Sequence, residues 1–266
     1  MSREHRLPEG LGGSEPSRSE RGVHRTTGPW TATVHAFLRH LEAVGFPGAP
    51  RVLGIDDAGR EVLTFFEGEV LAAGSGWRPG QPTPWPEWAQ SDECLAATAR
   101  LLRILHDVSA SFVAPNGATW RRHDCPILGR DEIVCHGDIG PHNTVYRGGI
   151  PVAFIDWDTI RPDHPLIEFG RAAWKFVPLG NDAYFEASDF AARPDLTHRL
   201  AVFSRAYGVC GRAEVAWALH QAKQRSVEAA KYFPISPAEG AATLRLVANE
   251  LEWLQEALAP LLTALD

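Results

Sequence analysis

The stretch Val134-Cys135-His136-Gly137-Asp138-Ile139-Gly140-Pro141-His142-Asn143-Thr144-Val145-Tyr146-Arg147-Gly148-Gly149-Ile150-Pro151-Val152-Ala153-Phe154-Ile155-Asp156-Trp157-Asp158-Thr159 decides how the chain is read. Two short apolar runs, 144–146 and 152–155, flank a Gly-Gly pair, which is a hairpin signal. Asn143 precedes the first run and Asp156 follows the second. Antiparallel pairing therefore sets Asn143 and Asp156 side by side at the open end of one hairpin. Asp138 lies just before it, in a loop with Gly and Pro. Singly, an Asn or Asp at a hairpin end is commonly a turn or cap residue. The joint spacing is what points to chemistry.

Phosphoryl transfer needs oxygen ligands for Mg²⁺ and a nearby carboxylate to orient the attacking hydroxyl. In protein kinases the catalytic Asp is followed, after four residues, by a metal-binding Asn, and a second metal-binding Asp comes one hairpin later. Asp138, Asn143 and Asp156 keep that spacing. Here the chain resembles the aminoglycoside phosphotransferase/choline kinase-like family. That family's loop reads His-Gly-Asp, four residues, Asn, and its metal Asp sits in Ile-Asp-Trp or Ile-Asp-Phe. Both patterns are present, at 135–143 and 155–158. A metallophosphoesterase would need further Asp/His and Gly-Asn-His clusters, which the sequence lacks. No Cys or His stands at zinc spacing from His136.

The resemblance implies an α+β, protein-kinase-like fold of two lobes, a small β-rich one over 1–69 and a mainly helical one over 70–266. It implies transfer of the γ-phosphoryl group of ATP or GTP to a hydroxyl of a small molecule, with Mg²⁺ as cofactor. Asp138 would be catalytic, with Asn143 and Asp156 on the metal. His136 would orient the loop by hydrogen bonding, and Asp158 would assist the metal or cap the next turn. Nucleotide contacts would come from Gly12 and Gly13, from Arg25 and from the hinge at Glu67 and Gly68. The alternative is a non-catalytic kinase-like nucleotide-binding module.

Composition agrees with a globular chain: 266 residues, 44% hydrophobic and 22% charged. No apolar run approaches the roughly 20 residues of a membrane span. The polar N-terminus has no signal-peptide core. Four cysteines without paired spacing read as reduced thiols, hence a cytoplasmic protein. A net charge of −7 disfavours nucleic acid and tolerates a cationic acceptor. Lys175, Lys223 and Lys231 are the only lysines.

Along the chain, Gly10-Leu11-Gly12-Gly13-Ser14 is a candidate phosphate-covering turn, because small residues let backbone N–H groups approach phosphates. The next residues, 16–21, are hydrophilic and poor in strand formers. This hairpin is therefore expected either to be frayed until nucleotide binds or no longer to cover one. With no lysine before Lys175, Arg25 is the available phosphate cation, or else a solvated surface Arg. Residues 31–44 read as a helix capped by Thr31 or Thr33 and ended by Gly45. His35 stands where relatives carry the Glu that pairs with the strand cation. Strands are expected at 51–56 and 60–66 around Asp57-Ala58-Gly59, and helices at 91–108, 166–176, 195–207, 213–231 and 237–262. Pro162 and Pro165 break the chain, and Glu168 or Asp163 would support the metal loop. The tryptophans at 77, 85 and 88 read as packing rather than substrate stacking. His106 reads as structural, and Glu214, Glu250 and Glu252 as a solvated face.

Overall fold

The computed structural model describes residues 4–7, 16–71, 85–121, 131–180, 185, 192–232 and 237–265. The Gly10–Ser14 turn, with Gly12 and Gly13, and Trp77 lie outside them. The described strands His5–Arg6 (β1), Ser17–Ser19 (β2), Gly22–Arg25 (β3), Val52–Ile55 (β4) and Glu61–Leu63 (β5) form one sheet in the order β1-β2-β3-β5-β4. The pairings are antiparallel, and Arg25 lies opposite Glu61.

Of the two expectations for the polar segment 16–21, fraying does not hold for its strand: β2 pairs along its length with β3. Polar ties replace apolar packing there. Ser17 Oγ donates to Glu4 at 3.0 Å, Arg60 forks onto the same carboxylate, and Ser19 Oγ meets His24 Nε2 at 2.8 Å.

Helix Thr31–Ala43 (α1) packs Val34, Phe37, Leu38 and Leu41 inward. Neither threonine caps it; Trp30 is the N-cap residue and makes no side-chain cap bond. Thr31 Oγ1 accepts instead from Gly28 N at 2.8 Å, and Thr33 Oγ1 accepts from Thr119 N at 2.9 Å. Thr33 thus joins the helix to a loop far along the chain, a use that local cap chemistry cannot reveal.

Glu69–Val70 (β6) leaves the first sheet and pairs with Thr144–Arg147 (β8), which pairs with Ile150–Phe154 (β9). Gly148 and Gly149 have φ of +57° and +77°, the doubly positive turn that matches strand twist. Ile133–Cys135 (β7) pairs with Arg161–Asp163 (β10). The prolines at 162 and 165 were expected to break the chain. Pro162 sits inside β10 opposite Val134, tolerated because this ribbon has only two strands and an open side.

The helices are Glu87–Gln90 (α2), Asp92–Ser109 (α3), Pro165–Phe176 (α4), Leu196–Tyr207 (α5), Arg212–Tyr232 (α6) and Pro237–Leu261 (α7). Ser91 caps α3 through Cys94 N, and Asp195 caps α5 through His198 N. One apolar core runs from Phe37 and Leu41 through Leu102, Phe154 and Trp157 to Phe169, Phe203 and Leu219. Trp85 and Trp88 pack on Tyr146 and Cys94 in a smaller cluster. Cys94, Cys135 and Cys210 are free thiols. No helix among the described residues is long and apolar enough to cross a membrane.

Candidate active site

Two loops meet at the open end of the β8–β9 hairpin. One runs from His136 to Asn143, ending in a short 3₁₀ turn over Pro141–Asn143; the other holds Asp156 and a second turn over Trp157–Thr159. They join where Ile155 N donates to Asn143 O at 2.9 Å. Gly137 makes their approach possible. It has φ +86°, and a Cβ there would lie 2.2 Å from Thr159 O. Asp156 has φ +65°, the only positive φ outside glycine among the described residues. The bend follows the end of the strand at Phe154, and the Asp156 carboxylate pairs with Arg25.

His136 clamps the loops together. It is fully buried, and burial lowers its pKa against the pull of Glu168, Asp138 and Asp156. The neutral ring donates from Nε2 to Ile155 O at 3.0 Å, leaving Nδ1 to accept from Asp138 N at 3.4 Å. Glu168, on α4, holds the same loop from below. Its carboxylate accepts from His136 N at 3.0 Å and Gly137 N at 2.6 Å. His106 Nε2 reaches the same carboxylate at 3.0 Å while its Nδ1 meets Tyr207 Oη at 2.7 Å. Burial opposes the Glu168 charge, but His106, His136 and the backbone donor outweigh it and hold the pKa at about 2. His106, Cys135 and Glu168 also lie close enough for a metal, but these hydrogen bonds already engage the Glu168 carboxylate. Glu168 or Asp163 was expected to support the metal loop; Glu168 instead grips the His136–Gly137 loop, and Asp163 pairs with Arg171 at 3.1 Å and Arg161 at 3.6 Å.

Asp138 is half-exposed, with both carboxylate oxygens engaged. Oδ1 lies 2.9 Å from Lys175 Nζ. Oδ2 accepts from Asn143 Nδ2 at 3.1 Å and faces His142 Nε2 at 3.4 Å. Desolvation works against the charge, yet Lys175 and His142 hold its pKa well below the usual carboxylate range. Asn143 Nδ2 also donates to Asp138 O at 2.9 Å. Its amide group being committed to Asp138 as donor, its oxygen is the atom left for a cation. Asn143 and Asp156 thus offer hard oxygen donors of the kind that suit Mg²⁺ or Ca²⁺.

Arg25 is not a solvated surface residue. It is largely buried, and its guanidinium pairs with Asp156, with Asp158 at 3.0 Å and with Glu61 at 3.5 Å. Desolvation opposes this charge, and the carboxylates raise its pKa nonetheless. No helix Glu is needed for the ion pair. The strand residue Glu61 supplies the carboxylate, and His35 of α1 holds Glu61 Oε2 at 2.9 Å. The sequence reading missed Glu61 because its position opposite Arg25 depends on strand register. It also missed Lys175, which reaches Asp138 from a helix 37 residues later.

Asp158 was expected to assist the metal or cap the next turn. It lies past the left-handed bend at Asp156 and turns inward to bridge Arg25 and Arg121. Glu67 and Gly68 lie beside β8. Glu67 O accepts from Arg147 at 3.2 Å, the exposed Glu67 carboxylate pairs with Arg18, and a Cβ at Gly68 would lie 2.4 Å from Tyr146 O. Glu214 lines a shallow cavity of about 360 Å³ with His164 and Trp217, on the N-terminal end of α4 and so at the far end of that helix from Lys175. Glu250, read as solvated, pairs instead with Lys223 at 2.6 Å.

Residues 118–203, which include both loops and α4, match the phosphotransferase enzyme family. A trifolitoxin immunity protein of Rhizobium leguminosarum bv. trifolii is 35% identical over 231 residues, covering 82% of this chain and 83% of its own. The chain belongs to the phosphotransferase enzyme family. Solved structures of similar fold include the amicoumacin kinase hAmiN in complex with AMP-PNP, Ca²⁺ and Ami, with TM-score 0.59 at 11% identity, covering 94% of this chain and 88% of that one. The macrolide 2′-phosphotransferase MphH of Brachybacterium faecium gives 0.58 at 13%, covering 92% and 91%. A gentamicin complex of APH(2″)-IIa gives 0.58 at 13%, covering 96% and 93%. These likenesses establish the α+β, two-lobed, protein-kinase-like fold. The matched stretch of the phosphotransferase family holds Asp138, Asn143, Asp156, Glu168 and Lys175, whereas Arg25 and Glu61 lie outside it.

Proposed function

We propose that this protein transfers the γ-phosphoryl group of ATP or GTP to a hydroxyl of a small molecule. The observation that carries the reading is the convergence of the Asp138–Asn143 loop on Asp156, held by His136 and Glu168. In the reaction the acceptor oxygen bonds to the γ-phosphorus, the bond from that phosphorus to the β–γ bridging oxygen breaks, and the nucleoside diphosphate leaves. Asp138 orients the acceptor hydroxyl and takes its proton. Asn143 and Asp156 hold Mg²⁺, which when bound neutralises phosphate charge. Arg25 contacts the phosphates, helped by the Gly12–Gly13 turn, and the backbone at Glu67 and Gly68 meets the base. Asp158 supports this group by fixing Arg25. Positioning and charge stabilisation supply the acceleration.

The lobe division at Glu69 belongs to the same reading, supported by β6 pairing with the hairpin rather than with the five-stranded sheet. So does a cytoplasmic location, where reduced thiols and nucleotide occur together. The name of the 35% identical relative adds a toxin to the acceptors worth assaying.

Asp138→Ala should abolish transfer to any acceptor found in a hydroxyl-compound panel that includes trifolitoxin. The loss expected from removing a positioned base is ~10²–10⁴-fold, with MgATP or MgGTP binding kept in calorimetry. Full turnover by Asp138→Ala would remove the residue from its role. A second reading is a kinase-like module that binds nucleotide without turnover, favoured by the three carboxylates already engaging Arg25. Nucleotide binding with no transfer to any acceptor, water included, would select it.

A further inference from the structure

We propose that Lys175 is a further catalytic residue of this site, its ammonium contacting the phosphoryl group as it passes to the acceptor. The inference rests on the phosphotransfer reading and names the cation that serves the acceptor side of the reaction. Lys175 lies in the last turn of α4, and its Nζ is 2.9 Å from Asp138 Oδ1. An acceptor hydroxyl must come within about 2.6–3.2 Å of an Asp138 oxygen to give up its proton. Oδ2 is already shared by Asn143 and His142. The hydroxyl therefore approaches Oδ1 beside the ammonium, and the phosphorus bonding to that hydroxyl arrives within the same few ångströms.

The neighbouring cations each have more than one partner. Arg25 is surrounded by Asp156, Asp158 and Glu61 on the small-sheet side. Lys223 is fixed on Glu250 at 2.6 Å and lies 3.9 Å over the Trp174 ring. Lys175 is different. An ammonium has three donors, and among the described residues Asp138 is its one recorded partner. Its side chain is 34% exposed, so two donors remain for a ligand. The loop also makes room for its stem, because a Cβ at Gly140 would lie 2.8 Å from Lys175 Cδ. Gly140 has extended backbone with φ 177°, so this room, not conformational freedom, is what the glycine supplies.

An ammonium so placed acts on charge spread over the equatorial oxygens of the transferring group, where a preorganised cation has its largest effect. In the resting site it also holds Asp138 Oδ1 at 2.9 Å.

The test compares wild type with Lys175→Met and Lys175→Arg. Calorimetry reads binding of MgAMP-PNP, and of MgADP without and with aluminium fluoride, a planar mimic of the phosphoryl group in flight. Fluoride should tighten MgADP binding in wild type, and Lys175→Met should lose that tightening while binding MgAMP-PNP as before. Lys175→Arg should recover part of it. Basal hydrolysis of MgATP should fall on the order of 100-fold in Lys175→Met, with the nucleotide KM unchanged. Equal tightening in wild type and Lys175→Met overturns the role of Lys175 and leaves the phosphotransfer reading intact. No tightening in wild type likewise removes the proposed anion site. Failure of wild type to bind any magnesium nucleotide overturns the phosphotransfer reading, and this inference with it.

Discussion

Asp156 does two things that compete at one residue. It turns the chain through a left-handed conformation, and its carboxylate, proposed for the metal, pairs with Arg25. Asparagine tolerates the same backbone, so Asp156→Asn separates shape from charge. It should keep the fold and the thermal midpoint within a few degrees, while magnesium-nucleotide affinity drops at least ~10-fold. Calorimetry with MgATP checks this; unchanged affinity would place the metal elsewhere. Glu168 carries a different message. Its folded pKa of about 2 lies below the ordinary 4.5. Ionised Glu168 therefore favours the folded state. The contribution is fully present above 4.5 and is lost as pH falls toward 2. Wild type should exceed Glu168→Gln in unfolding free energy by up to about 3 kcal/mol near neutral pH, with the gap narrowing in denaturant titrations at pH 3. A gap that ignores pH would mean that packing, not charge, makes the difference.

The elements owe their form to different causes. Helices α3 and α5 follow from apolar spacing and a capping Ser or Asp, and the β8–β9 hairpin from its Gly-Gly turn. All three are readable from the residues. Strands β2 and β10 are not, because serine-rich β2 is tied by Glu4 and Arg60 as well as by β3, and proline-containing β10 exists through β7, distant in sequence. The His136–Asn143 loop lies between these cases. Its residues announce themselves by spacing, but its position depends on the contact of Gly137 with Thr159 O. Gly137→Ala puts a Cβ 2.2 Å from that carbonyl at φ +86°. It should cost ~1–3 kcal/mol of stability and lower turnover by more than the folded fraction explains, because Asp138 moves with the loop. Turnover falling only in proportion to folded protein would count against that coupling.

Across the whole molecule, the site is mounted on a core shared by both halves. Phe37 of α1 faces Trp157 at 5.9 Å between ring centres, and Trp157 faces His136 at 4.6 Å. Helix α1, the Trp157 turn and His136 thus form one packed unit. Trp157→Ala opens a fully buried cavity and should cost ~3–5 kcal/mol. A lowered denaturant midpoint with an unchanged slope is the expected signature. Two transitions in place of one would show instead that the halves unfold separately.

Spacing, turn residues and helical periodicity, all local properties, were enough to specify the kinase-like fold, the β8–β9 hairpin and most of the helices. Register and long-range approach were not contained in them. The partnership of Arg25 with Glu61 and His35, the grip of Glu168 on the loop and the placing of Lys175 against Asp138 join residues 26 to 37 positions apart. Such contacts exist only once strands have paired and helices have packed, since burial and strand pairing, rather than neighbouring residues, bring those charges together.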